Sequence, residues 1–193
     1  MRIALLSAIG VVCGALLLAL PAPAAIITNE DVHLQYDYSE FYAIAGNREF
    51  EVVVRGNPTN VPQEQFEARL MQILAQAFRT TRTLPVTHPV TPGVRPHYRL
   101  VLVFNLGSGE LGRTLCGNLD SIVPGNNLPG QLNVSAAYCR NGDPMTEAFA
   151  RTGAASLDDP AAASLFSELV SVLFPNRPGL LPNRNMWNNG FFR

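Results

Sequence analysis

Three segments of the chain carry the apolar patterns of β-strands. In Arg48–Arg55 and Gln131–Cys139, apolar and polar residues alternate, which predicts strands with one buried face. His97–Asn105 contains successive apolar residues, which is typical of a central strand that is buried on both faces. The Asn-Gly pair in Arg140–Asp143 predicts a hairpin turn that leads into a further strand at Met145–Thr152.

Two other segments repeat apolar residues at the spacing of an α-helix. The first begins near Asn60, where a capping residue, a proline and a glutamine follow in order, and it continues to about Arg79. The second begins with Asp159 and Pro160, a capping residue followed by a proline at the first helical position, and ends at Pro175. Each helix therefore has one apolar stripe that requires a partner surface.

The predicted elements follow the order β-α-β-β-β-α. Two amphipathic helices can bury both stripes together if they cover the same face of a sheet. We therefore expect an α+β fold, a two-layer sandwich with a mostly antiparallel sheet of four to five strands and two helices on one face.

The N-terminus has the layout of a secretory signal peptide. Arg2 precedes an uncharged apolar run from Ile3 to Leu20, and small residues and prolines follow as far as Ala25. We expect cleavage after Ala24, a single domain over residues 25–175 and a C-terminal tail over residues 176–193. An uncleaved anchor is the main alternative, and a lipoprotein would require acylation at Cys13.

Charge and cysteine content restrict the classes of function. Cleavage leaves 13 arginines against 15 acidic residues and no lysine. This balance predicts no nucleic-acid partner, and contact with a membrane is expected only if the N-terminal segment is retained. Without lysine, the chain cannot use a Schiff-base lysine or the lysine of a P-loop. In an exported protein, the two remaining cysteines, Cys116 and Cys139, are expected to form a disulfide.

No motif predicts a catalytic, cofactor or metal site. Gly107–Gly112 matches G-x-G-x-x-G, but no acidic residue follows at the ribose-binding distance and no parallel βαβ unit is predicted, so we interpret it as a glycine-rich turn. Ser108 lacks the frame of a nucleophile elbow. His33, His88 and His97 are scattered and show no zinc-ligand spacing.

Aromatic residues are the remaining candidates for contact with a partner, because they are favoured in binding interfaces. They form one group near the N-terminus and one in the tail: Tyr36, Tyr38, Phe41 and Tyr42 in the first, and Trp187 with Phe191 and Phe192 in the second.

The arrangement resembles families of small bacterial envelope proteins, periplasmic or lipoprotein-like, that have no assigned activity. The resemblance is carried by Phe50–Pro58, Pro96–Phe104, Ala137–Asp143 and Asp159–Pro175. No catalytic residue can be carried over from it. From the chain as a whole, we expect a periplasmic or secreted, non-catalytic protein that binds or scaffolds an envelope protein or ligand. A membrane-anchored accessory subunit and a hydrolase-type enzyme with residues assembled from distant segments remain alternatives. The chain lacks a lipid-attachment cysteine at the end of its apolar run.

Overall fold

A computed structural model describes residues 25–88, 98–106, 112–125 and 128–176. The elements are β1 (Ile26–Val32), α1 (Tyr38–Ala45), β2 (Glu49–Arg55), α2 (Gln63–Ala77), β3 (Leu84–Val86), β4 (Tyr98–Phe104), α3 (Gly112–Gly117), a 3-10 helix (Leu119–Ser121), β5 (Leu132–Arg140), β6 (Asp143–Thr152) and α4 (Pro160–Leu173). The signal peptide predicted over residues 1–24 and the tail from residue 177, which includes Trp187, lie outside the described residues.

The α+β class is confirmed, but the sheet is larger and more mixed than we predicted. Its six strands lie in the order β1-β6-β5-β4-β2-β3. The pairs of β2 with β3 and with β4 are parallel, and the other three pairs are antiparallel. The expectation of four to five strands missed β1 and β3. Acidic residues interrupt the alternation of β1, and β3 is a three-residue edge strand that contains Pro85.

The main core lies between the sheet and the helices α1, α2 and α4. The two long helices form where their apolar stripes predicted them, and they bury Phe66, Leu70, Leu165 and Leu169, among others, against the strands. The short helix α1 adds Phe41 to the same core. These helices thus share one face of the sheet.

The opposite face carries a smaller third layer, which corrects the predicted two-layer sandwich. Here α3 and the 3-10 helix pack on β4 and β5 through a second apolar cluster that includes Val101, Leu115 and Leu119. We expected a short strand to lead into Cys116, whereas the segment is helical. The predicted Cys116–Cys139 disulfide is present and fastens α3 to β5, with the two Cα atoms 5.5 Å apart.

Among the described residues, no helix combines the length and the apolar character needed to cross a membrane.

Candidate functional site

The pairing of β1 with β6 brings together three side chains of the kinds that bind metals. Asp31 and His33 are two residues apart, so they project from the same face at this edge of the sheet. Glu147 lies directly opposite Asp31 in the register of the two strands. One ligating atom from each residue lies within 4.8 Å of the other two.

A bulge in β1 sets this alignment. Between Thr28 and Asp31 the register shifts by one residue, and Asn29 adopts a positive φ of 55°. In an unbroken register, Glu30 would lie opposite Glu147, and Asp31 would project from the other face of the sheet. The bulge therefore turns Asp31 toward Glu147, as bulges commonly re-aim side chains.

His33 places a nitrogen that has no hydrogen-bond partner among the described residues near the Asp31 carboxylate. Its Nε2 is shielded from solvent and has no hydrogen-bond partner among the described residues, although the side chain as a whole is 38% exposed. Nε2 lies 3.7 Å from Asp31 Oδ2, which is too long for a hydrogen bond. The site therefore holds an acceptor or donor position that the described part of the chain leaves without a hydrogen bond.

Glu147 is held in place from the other side by α3. Its Oε2 accepts a hydrogen bond from the backbone N–H of Gly112. A Cβ atom at residue 112 would collide with the Glu147 carboxylate and with Pro144, so only glycine allows this approach. The last glycine of the glycine-rich motif thus serves to position a carboxylate.

The donor set fits a transition metal such as zinc. Neighbouring ligand atoms around tetrahedral zinc are about 3.4 Å apart, so the three candidate atoms, which lie within 4.8 Å of one another, would have to draw closer to surround an ion. One imidazole and two carboxylates would leave a fourth position for water or an external ligand. We expected no metal ligands because the histidines are scattered in sequence, and the candidate set arises only through strand pairing.

The structure also locates the other histidines and nucleophile candidates. His88 is exposed and follows β3, at the opposite edge of the sheet from β1. His97 and Ser108 lie outside the described residues. His33 is thus the histidine that the described structure groups with carboxylates.

The aromatic candidates divide between core and surface. Tyr36 is 3% exposed and Phe41 is fully buried, which corrects our expectation that these two residues lie on a binding surface. Tyr38 is partly buried against the core, whereas Tyr42 is 48% exposed. Tyr42 is therefore the member of the N-terminal group that remains available to a partner.

A second polar cluster lies where α1 meets the ends of β4 and β5. Arg140 donates to Glu40 Oε2 at 2.9 Å and to Gln35 Oε1 at 3.0 Å, and the Tyr98 hydroxyl donates to Glu40 Oε1 at 2.7 Å. These groups satisfy one another, so the cluster joins the loop before α1 to the sheet.

Tyr138 lies beneath this cluster, but its hydroxyl group takes no part in these hydrogen bonds. Burial, reinforced by the negative charge of Glu40, raises the pKa of Tyr138 above its usual range. Its hydroxyl has no hydrogen-bond partner among the described residues. The phenol is therefore neutral and unsatisfied.

No protein-family model matches the chain, and no curated protein sequence does. Among solved structures, the chain is similar to the PelC dodecamer from Paraburkholderia phytofirmans, with 12% identity and a TM-score of 0.45 over 77% of this chain and 96% of that one. A point variant of that dodecamer matches with 15% identity and a TM-score of 0.42, over 79% and 99% of the two chains. Likeness at this level carries no argument about function.

Proposed function

We propose that this chain is an exported, non-catalytic binding protein of the bacterial envelope, and that it binds a divalent transition-metal ion through Asp31, His33 and Glu147. The observation that carries the proposal is Nε2 of His33, which is shielded from solvent and has no hydrogen-bond partner among the described residues, in a group with the carboxylates of Asp31 and Glu147. A buried polar atom without a partner is costly, and a metal ion would satisfy it.

The chemistry of the ligands favours zinc over magnesium or calcium. Magnesium and calcium prefer sites composed of oxygen atoms, whereas imidazole suits zinc and its neighbours. The hydrogen bond from Gly112 to Glu147 supports the same assignment, because outer partners commonly fix the orientation of metal-binding carboxylates.

The exposure of the site favours binding over catalysis. Hydrolytic enzymes also bind zinc through three protein ligands, so a hydrolase is the alternative function for this site. The Asp31 side chain, however, is 60% exposed at an edge strand, so this position offers little enclosure for a substrate. An external group, such as a side chain of an envelope partner, could complete the coordination instead.

Export and membership of an envelope protein family remain part of the proposal. The Cys116–Cys139 disulfide supports export, because disulfides persist in oxidising compartments. Intact-mass measurement of the protein from the periplasmic fraction should give the mass of a chain that begins at residue 25. The mass of the uncleaved chain, with residue 1 still present, would favour the anchored alternative.

Calorimetric titration of the purified, chelator-treated protein with zinc chloride tests the metal site. We expect one site per chain, with affinity reduced at least tenfold in both H33A and E147Q, since loss even of outer-shell partners costs about 10- to 100-fold. H88A is the matched control, because it removes an exposed histidine at the other edge of the sheet, and it should bind like the wild type. Affinity should fall in acid, because binding requires a neutral imidazole and ionised carboxylates.

Two results would overturn the metal proposal. One is a wild-type protein that binds no zinc, and the other is zinc binding that H88A weakens while H33A and E147Q leave it unchanged. Circular dichroism of each variant should match the wild type, so that a loss of binding is not a loss of folding.

A further inference from the structure

Three exposed arginines lie at one corner of the domain, far from the metal site. Arg79 and Arg82 occupy the turn after α2, where the backbone N–H of Arg82 donates to the Arg79 carbonyl at 3.3 Å. Arg48 lies just before β2, and its carbonyl accepts from the N–H of Leu84 at 2.9 Å. The backbone thus brings three cationic residues from two segments together beside β3, at the edge of the sheet opposite β1.

Within the described structure, these arginines have no ion-pair partner, unlike Arg55, Arg69 and Arg140. Arg55 pairs with Asp120, Arg69 with Asp158 and Arg140 with Glu40. No such pair involves Arg48, Arg79 or Arg82 within residues 25–88, 98–106, 112–125 and 128–176. Three charges without an ion-pair partner among the described residues, in a protein of nearly balanced charge, make this corner a local positive region.

The acidic residue next to Arg48 in sequence lies on the other face of the sheet from the core residue Phe50. Glu49 follows Arg48 in sequence, but side chains alternate along β2, and Phe50 faces the core beneath the helices. Glu49 therefore projects from the opposite face of the sheet.

An exposed tyrosine adjoins the same corner. Tyr42 is on α1, and its carbonyl accepts from Gly46, which leads through Asn47 into Arg48. The backbone N–H of Asn47 donates to the Thr81 carbonyl at 3.1 Å, which joins the end of α1 to the arginine-bearing turn. Tyrosines with an exposed ring are typical of membrane interfaces, where one end is apolar and the other is hydrated.

We propose that this arginine corner, formed by Arg48, Arg79 and Arg82 with Tyr42 beside it, binds the anionic phosphate headgroups of a lipid bilayer. Guanidinium groups match phosphate oxygens through paired hydrogen bonds. The three arginines are exposed and stand on connecting segments at the surface, which suits contact with a broad anionic surface. Such contact does not require the N-terminal segment, and the proposal therefore departs from the sequence-based expectation that membrane contact occurs only if that segment is retained.

The expected strength of binding to an anionic bilayer follows from the number of arginines. Each arginine near an anionic bilayer strengthens partition by about fivefold, so three together contribute on the order of 100-fold. The attraction is electrostatic, and it should therefore weaken as salt is added.

Vesicle co-sedimentation of the full exported chain tests the proposal. The readout is the ratio of binding to phosphatidylglycerol vesicles over phosphatidylcholine vesicles, because an apolar N-terminus would insert into both. We expect the triple variant R48Q/R79Q/R82Q to lower this ratio by on the order of 100-fold. R55Q/R69Q/R113Q removes the same total charge from other surfaces, and it should keep the ratio within about threefold of the wild type.

Three outcomes would overturn the proposal: equal binding of the wild type to both vesicle types, an unchanged ratio in the triple variant, or an equal loss in the control variant. Binding of inorganic phosphate by the wild type without any vesicle binding would assign the corner to a soluble anion, which also contradicts it. All six substituted arginines are on the surface, so both variants should unfold at the same temperature as the wild type. Thermal unfolding of each variant checks this for every comparison.

Discussion

Replacing Tyr138 with phenylalanine should stabilise this protein, although it removes a polar group from the core. Tyr138 is 2% exposed, and its ring packs on Phe174 with centroids 5.1 Å apart and on Phe41 at 5.8 Å. Phenylalanine keeps the ring and these contacts. The hydroxyl has no hydrogen-bond partner among the described residues, so its removal breaks no bond there.

The expected gain comes from relief of desolvation. An unsatisfied buried donor or acceptor costs about 1–3 kcal/mol, so Tyr138→Phe should raise the free energy of unfolding by about 1 kcal/mol. For a domain of this size, that corresponds to a rise of about 2–4 °C in the melting temperature.

The same hydroxyl predicts a loss of stability in alkali. Below pH of about 10 the Tyr138 phenol is neutral in both the folded and the unfolded chain, so it adds no pH dependence. Above that pH the unfolded chain releases the proton, whereas the raised pKa of Tyr138 keeps it bound in the fold. The free energy of unfolding should therefore fall by up to about 1.4 kcal/mol per pH unit, and Tyr138→Phe should remove this contribution.

Urea unfolding followed by circular dichroism measures both effects. Tyr36→Phe is the matched control, because the Tyr36 hydroxyl donates to the Pro175 carbonyl at 3.0 Å and its loss should cost about 1 kcal/mol. A destabilised Tyr138→Phe variant, or one with the alkaline slope of the wild type, would refute the conclusion that this hydroxyl is buried and unsatisfied.

Three further substitutions test the fold and the alignment of the site. Replacing Cys116 and Cys139 with serine opens a link between residues 23 apart, and it should lower the free energy of unfolding by about 3 kcal/mol in urea titrations; an unchanged midpoint would contradict a structural disulfide. Asp159→Ala removes the acceptor for the Ala161 N–H at the start of α4 and should cost about 1 kcal/mol, whereas the neighbouring Asp158→Ala should cost less. Asn29→Val places a β-branched residue at a φ of 55°, so it should cost about 1–2 kcal/mol and weaken zinc binding in calorimetry, while Asn29→Gly should preserve both.

Strong periodic patterns predicted the centre of the fold. The apolar spacing in α2 and α4 and the alternation in β2 and β5 are local signals that the tertiary structure reinforces. The Asn141-Gly142 pair predicted the hairpin between β5 and β6, and both residues have the positive φ that such a turn requires.

The missed elements are those that tertiary contacts specify. The aromatic-rich segment gave no amphipathic signal long enough for a helix, yet α1 forms over eight residues with Asp37 as its cap. Glycines at both ends of α3 favoured a turn, but the disulfide at Cys116 and the apolar cluster around Leu115 hold this short helix on the sheet. The disulfide itself was predicted, but neither it nor the apolar cluster indicates from the local sequence that this segment is helical.

The proposed metal site could be predicted only in part. Asp31 and His33 at alternate positions indicate a shared strand face, which is a signal available in the sequence. Glu147 is remote in the chain, and its position opposite Asp31 depends on the β1–β6 register and on the bulge at Asn29. Strand pairing therefore had to be known before the three ligands could be grouped.

The most direct test of the proposed metal site is an anomalous difference map from crystals of the protein grown with zinc, measured at the zinc absorption edge. We predict a peak about 2.0–2.2 Å from His33 Nε2 and from a carboxylate oxygen of both Asp31 and Glu147. A map with no peak at this position, or with zinc bound only at other residues, would contradict it.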